Sequence, residues 1–171
     1  MGSLLAGRTV AAKSLALAAV LLPLLAACVD PSMAAGAHAP TVRPDWPHGQ
    51  VDIATQSGQR RIAVDIADTP ERQELGLMQV RKLPRGLGML FPVDPPGRMQ
   101  MWMKDTYLSL DMVFIGADDR VACIRERTTP QSLENINCPH DVHAVLETAA
   151  GVARHLGIRA GDRVDLPARL P

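Results

Sequence analysis

Apolar and polar side chains alternate over two short stretches, Val51 to Gln56 and Arg61 to Ala67, which place Val51 and Ile53, then Ile62, Val64 and Ile66, on single faces. Ser57-Gly58 lies between them. A period of two on either side of a glycine-containing turn predicts a β-hairpin. The pattern then changes. In DTPERQELGLM, Thr69 is placed to cap a helix, and Pro70 suits the first helical position, where its missing N–H would be unpaired anyway. Glu71 lies near the positive end of the helix dipole. A short helix from about Pro70 to Leu75 is predicted, stopped at Gly76, with Leu77 and Met78 turning inward.

After a loop carrying Arg81 and Lys82, the strand pattern returns. Gly88 to Val93 reads as a short strand and Asp94 to Gly97 as a turn. From Met99 to Met103 the odd positions are methionines, so a period of two sets them on one face and Trp102 with Lys104 on the other. Thioethers fill irregular cores well, and they also bind copper, so the methionine face has a packing reading and a metal reading. Between residues 108 and 115, Leu108, Leu110, Met112 and Phe114 share a face, and Asp111 lies opposite with Val113 and Ile115. An acid in an apolar strand is costly unless paired, so Asp111 requires a partner. Val121 to Ile124 is a strand, and Arg125 to Pro139 is a long connection of a length that is often functional. Val142 to Glu147 is a further strand, Thr148 to Leu156 a short helix ended by Gly157, and Val164 to Leu166 a last strand. Many short strands separated by turn signals, with two short helices, predict a mainly β domain: a small β-sandwich of jelly-roll type or a partly open barrel.

The totals alter this picture only at its ends. With 171 residues and 47 % apolar content, one core is expected. Eighteen Lys and Arg offset eighteen Asp and Glu, which leaves no field of one sign to attract nucleic acid. Arg8 and Lys13 precede an apolar run from Leu15 to Ala27, too short to span a bilayer but suited to a secretory leader. The run ends in Leu25-Ala26-Ala27-Cys28, which resembles a lipobox. Cleavage before Cys28 would leave that cysteine to carry lipid and anchor the protein to a membrane. Ordinary cleavage at Ala35-Gly36-Ala37 or Ala37-His38-Ala39 is the alternative. The expected division is a lipoprotein-type signal peptide at 1–27, removed on export, a flexible tether at 28–49 rich in Pro, Ala and Gly, and a folded domain at 50–167.

With Cys28 assigned to lipid, Cys123 and Cys138 form an even pair in an oxidising compartment, where a disulfide is one reading and a buried thiol with a free loop thiol the other. Cys138, His140, Asp141 and His143 have spacing that invites a metal, but loop and strand positions give them no common direction, and no metal or cofactor is expected. The sequence contains no G-x-S-x-G elbow, H-E-x-x-H or P-loop.

TPERQELGLM, GMLF, MWMKDT followed by LDMVFI, then VLETAAG and GIRAGDRV occur in an order that resembles the DUF192 family, over about residues 50 to 167. Where that family usually has Asn after WMK, this chain has Asp105, which adds a charge. The resemblance implies a compact β-rich fold with one or two small helices, and often an export signal. It brings no established reaction. Arg72, Trp102, Lys104, Thr106, Asp111 and Glu147 fall at matching positions and form the candidate binding face. An indole beside a lysine and two carboxylates suits a small polar ligand such as a sugar. The same set also reads as an ion-pair network that fixes strand register, with Lys104 or Arg72 answering Asp111 and Glu147. The resulting expectation is an exported, lipid-anchored envelope protein acting as a ligand-binding or accessory module. The alternative is a periplasmic hydrolase acting on envelope saccharide or peptide through Asp111 or Glu147.

Overall fold

The computed structural model describes residues 41–168. The leader, Cys28 and most of the tether lie outside the described residues. Within them the elements follow as β1 (His48–Thr55), β2 (Gly58–Ile66), α1 (Pro70–Leu75), β3 (Leu87–Gly97), β4 (Gln100–Met101), β5 (Leu110–Gly116), β6 (Val121–Arg125), β7 (Ile136–Asn137), β8 (Val142–Ala149), α2 (Val152–Leu156) and β9 (Arg163–Asp165). Seven strands make one sheet in the order β6-β5-β8-β3-β2-β1-β9, and β4 pairs with β7 in a separate ribbon. Only β2 and β3 run parallel, joined by the connection that carries α1. The mainly β architecture with two short helices is the one the alternation predicts.

The sheet curls until its edges meet at one end. Arg120 and Arg163 form a single antiparallel bridge, and next to it Val121 N donates to Asp162 O at 2.9 Å and Gly161 N to Val121 O at 2.8 Å. The barrel is stitched at that point and does not close. Both faces of the sheet are apolar. Ile53, Ile62, Val64, Leu90, Val113, Leu146 and Val164 pack on the face that also takes Ala153 and Ile158. Met89, Phe91, Met112, Phe114 and Val145 pack on the other, under Leu77, Leu83, Met101 and Met103. Cys123 of β6 and Cys138 are joined as a disulfide on that second side, with Cα atoms 6.2 Å apart.

Several boundaries shift from their expected places, each for a physical reason. The helix expected from Thr148 starts at Val152, because Thr148 and Ala149 pair with Asp111 and Leu110 and extend β8. Gly151, with φ of 84°, then makes the turn into α2. The methionine-rich strand stops at Met101, two residues short of Met103, because its partner β7 is only two residues long. The folded domain also starts before its expected boundary at residue 50. Thr41 Oγ1 donates to Asp65 Oδ1 at 2.7 Å, and the amides of Val42 and Arg43 each donate to Oδ2 at 2.9 Å, so a buried aspartate on β2 clasps this segment. β1 already begins at His48.

Candidate functional site

Strand register decides which acids can work together. Met89 of β3 and Met112 of β5 both lie directly opposite Glu147, so Glu147 points to the side covered by α1 and β4. Asp111 lies opposite Thr148 and therefore points to the side covered by α2. The two carboxylates are on opposite faces of one sheet. Asp111 is fully buried and committed: Oδ1 accepts from Arg127 N at 2.9 Å and Oδ2 from Ala153 N at 3.0 Å. Through Ala153 N it caps the start of α2 from a neighbouring strand, serving one of the terminal amides that a helix cannot satisfy itself. Backbone amides, rather than Lys104 or Arg72, answer it. Arg72 instead pairs with Asp68 one turn away and sits 5.8 Å from the Trp46 ring centre.

Trp102, Lys104, Thr106 and Glu147 do converge. They line a pocket of about 60 Å³ whose other walls include Phe91, the end of α1 and Gly76 to Met78, with Met99 and Met101 on the β4 side. Glu147 is 4 % exposed and makes no hydrogen bond or ion pair among the described residues. Burial alone pushes its carboxyl up to about 8, because charge is disfavoured in an apolar surrounding. At the rim, Trp102 is 44 % exposed, and Lys104 Nζ lies 5.4 Å from its ring centre, within cation–π range. Thr106 Oγ1 donates to Lys104 O at 3.1 Å and shapes the loop on which Lys104 stands. Asp105 has φ of 51°, a left-handed conformation that Asn and Asp tolerate best, so the Asn-to-Asp difference keeps the backbone requirement and adds only the charge. A wider groove of about 360 Å³ adjoins this pocket and shares Gln73 and Met99 with it. Its lining adds Pro70, Pro92 and Val93.

Sequence reasoning missed two groups. Gln73 and Glu74 were part of a predicted helix with no face assigned, yet both line the pocket. Arg43, placed in the tether, donates through Nη2 to Gly76 O and Met78 O, each at 2.9 Å, and so holds one pocket wall. For its clasp, Asp65, a signal existed: an acid within the apolar run IAVDIA needs a partner just as Asp111 does. The proposed histidine cluster is dispersed. Asp141 pairs with Arg98 at 3.1 Å, His143 Nε2 lies 3.3 Å from Asp119 Oδ1, and Cys138 is held in the disulfide. Among the described residues, no three His, Cys, Asp or Glu side chains are grouped to hold a metal ion.

Comparison with known proteins extends over the same domain. DUF192, described as "Uncharacterized ACR", matches residues 52–166. A crystal structure from Sinorhizobium meliloti, of a protein provisionally described as a transcription regulator, is 37 % identical with a TM-score of 0.68, covering 71 % of this chain and 95 % of that one. A protein of unknown function from Novosphingobium aromaticivorans is 34 % identical with a TM-score of 0.71, covering 75 % of this chain and 94 % of that one. No curated protein matches. The matched span reaches every strand of the sheet, missing only the first four residues of β1, and contains the whole pocket; the chain belongs to the DUF192 family.

Proposed function

We propose that this domain is an exported, lipid-anchored module of the cell envelope that binds a small polar ligand in the pocket above Glu147. One observation carries the reading: a buried carboxyl group with no partner among the described residues forms the floor of an open pocket whose rim presents a half-exposed indole and a lysine. Unpaired buried polar groups are costly, and a site that keeps one facing a pocket is preorganised for a ligand that satisfies it. The indole then offers an apolar platform for the rest of the ligand. Export and membrane anchoring are supported by the leader ending in Leu25-Ala26-Ala27-Cys28. The hydrolase reading loses Asp111, whose two oxygens are occupied on the opposite face. Nucleic acid is a poor fit to a chain with balanced charge.

Tryptophan fluorescence of the full chain, titrated with a panel of envelope saccharides and their amino derivatives, tests this reading. A saturable shift is expected, lost in Trp102→Ala. Trp46, with the guanidinium groups of Arg43 and Arg72 5.5 Å and 5.8 Å from its ring centre, supplies a constant background. Absence of any saturable response, or a response unchanged by Trp102→Ala, would overturn the reading.

A further inference from the structure

We infer that the ligand carries an amine, which enters the small pocket as an ammonium ion against the Glu147 carboxylate while the rest of the molecule lies in the adjoining groove and against Trp102. This rests on the binding reading above and names its chemistry. Size comes first: about 60 Å³ admits a few water-sized groups but no sugar ring, so only the end of a ligand enters, and the groove of about 360 Å³ beside it takes the body. Charge comes second. The titratable groups facing Glu147 in the pocket are Glu74 from α1 and Lys104 from the loop after β4, while β3 and β5 present Met89 and Met112. Glu74 adds negative charge. Lys104 holds its ammonium at the Trp102 face and makes no ion pair with Glu147, so the carboxyl has no counter-ion among the described residues.

A neutral hydroxyl group would gain a single neutral hydrogen bond there. An ammonium ion brings the missing charge into a site of low dielectric, where charge-assisted bonds are roughly twice as strong. The walls suit it, since the thioethers of Met78, Met99 and Met101 are polarisable. The proton balance gives a signature. Near neutral pH the empty pocket holds a protonated carboxyl; on binding, that proton leaves to solvent and the ligand keeps its own. Binding therefore strengthens about tenfold per pH unit as pH rises towards 8, and levels off above it. A neutral alcohol binding the protonated acid would show no such rise and would weaken above pH 8.

Calorimetric titration of the full chain with n-butylamine and, separately, with 1-butanol and glucose tests the inference. It is run from pH 6 to 9 and at pH 7 in two buffers of different ionisation enthalpy. The expected result is amine binding about tenfold tighter at pH 7 than at pH 6, release of close to one proton at pH 7, and loss of binding in Glu147→Gln. Should that variant not fold, the pH profile and proton release of the unaltered protein decide. If glucose or butanol binds equally well, dependent on Trp102 but without proton release, the inference falls and the binding reading stands. If amine and neutral probes all fail to bind, both fall.

Discussion

Glu147 sits among methionines and Phe91 with a carboxyl that stays protonated to about pH 8, against 4.5 for the ordinary side chain. The sign of its effect on stability follows. Between those two values the unfolded chain has lost the proton while the folded chain keeps it, so raising the pH favours unfolding. Its contribution is fully present below about pH 4.5 and is lost as pH rises through 8. With 1.36 kcal/mol for each unit, the loss is about 5 kcal/mol. Urea unfolding of the full chain should give a midpoint that declines between pH 5 and 8, and Glu147→Gln should remove that decline. Parallel slopes for the two proteins would show that burial does not hold the proton. The sequence marked Glu147 for attention through the family motif and left its environment blank. Two strands meet it from either side, and neither register can be read from local alternation. Trp102 and Lys104 were paired by a period of two that in fact ends at Met101, yet the loop after β4 still brings them together.

α2 has only five residues, no side chain on its own segment that caps it, and a glycine at its N-cap. A helix that short is marginal by itself, and it is fixed by Asp111 reaching across from β5 and by burial of Val152 and Ala153. Asp111→Ala leaves two amides without an acceptor, one of them in the core, at a cost of about 3 kcal/mol. Chemical denaturation should show that loss, with Asp111→Asn intermediate because it keeps one acceptor oxygen. A cost below about 1 kcal/mol for Asp111→Ala would mean that water serves those amides instead. At this scale the alternation was a good guide: the first hairpin, α1, and the strands expected at 88–93, 108–115 and 121–124 are present, although β3 runs on to Gly97 through the residues expected to turn, where it pairs with Val142, and β5 begins at Leu110. It erred at Thr148-Ala149, which lack any strand alternation of their own and are drawn into β8 by pairing with β5. The need for a partner at Asp111 was legible in its apolar surroundings. The identity of that partner was not, because the donors lie 16 and 42 residues away along the chain.

For the molecule as a whole, the clasp at Asp65 matters because it fixes the first described residues, Thr41 to Arg43, beside the pocket wall. If Cys28 carries lipid, as proposed, Thr41 is where the described chain would meet the anchored segment. There the two amides, one hydroxyl group and His48 Nδ1, at 3.0 Å, surround the Asp65 carboxylate. Arg43, which supplies one of those amides, also holds Gly76 O and Met78 O in the pocket wall through its guanidinium. The clasp and the wall are therefore one mechanical unit. The need for a partner at Asp65 was legible in its apolar run, but the wall contact was not, since Arg43, beside Pro44 in a polar segment, has no local pattern. Asp65→Ala removes the acceptor for both amides, and the strap should detach while the sheet, paired strand to strand, persists. Amide hydrogen exchange should then rise at Val42 and Arg43 with little change in β5 and β8, and ligand-induced fluorescence at Trp102 should weaken several-fold. Arg43→Ala should reproduce the loss of binding without the faster exchange at Val42, because it breaks the wall contact and leaves the clasp in place. Unchanged binding in both variants would show that the wall from Gly76 to Met78 stands without Arg43, and that the tether and the pocket are mechanically independent.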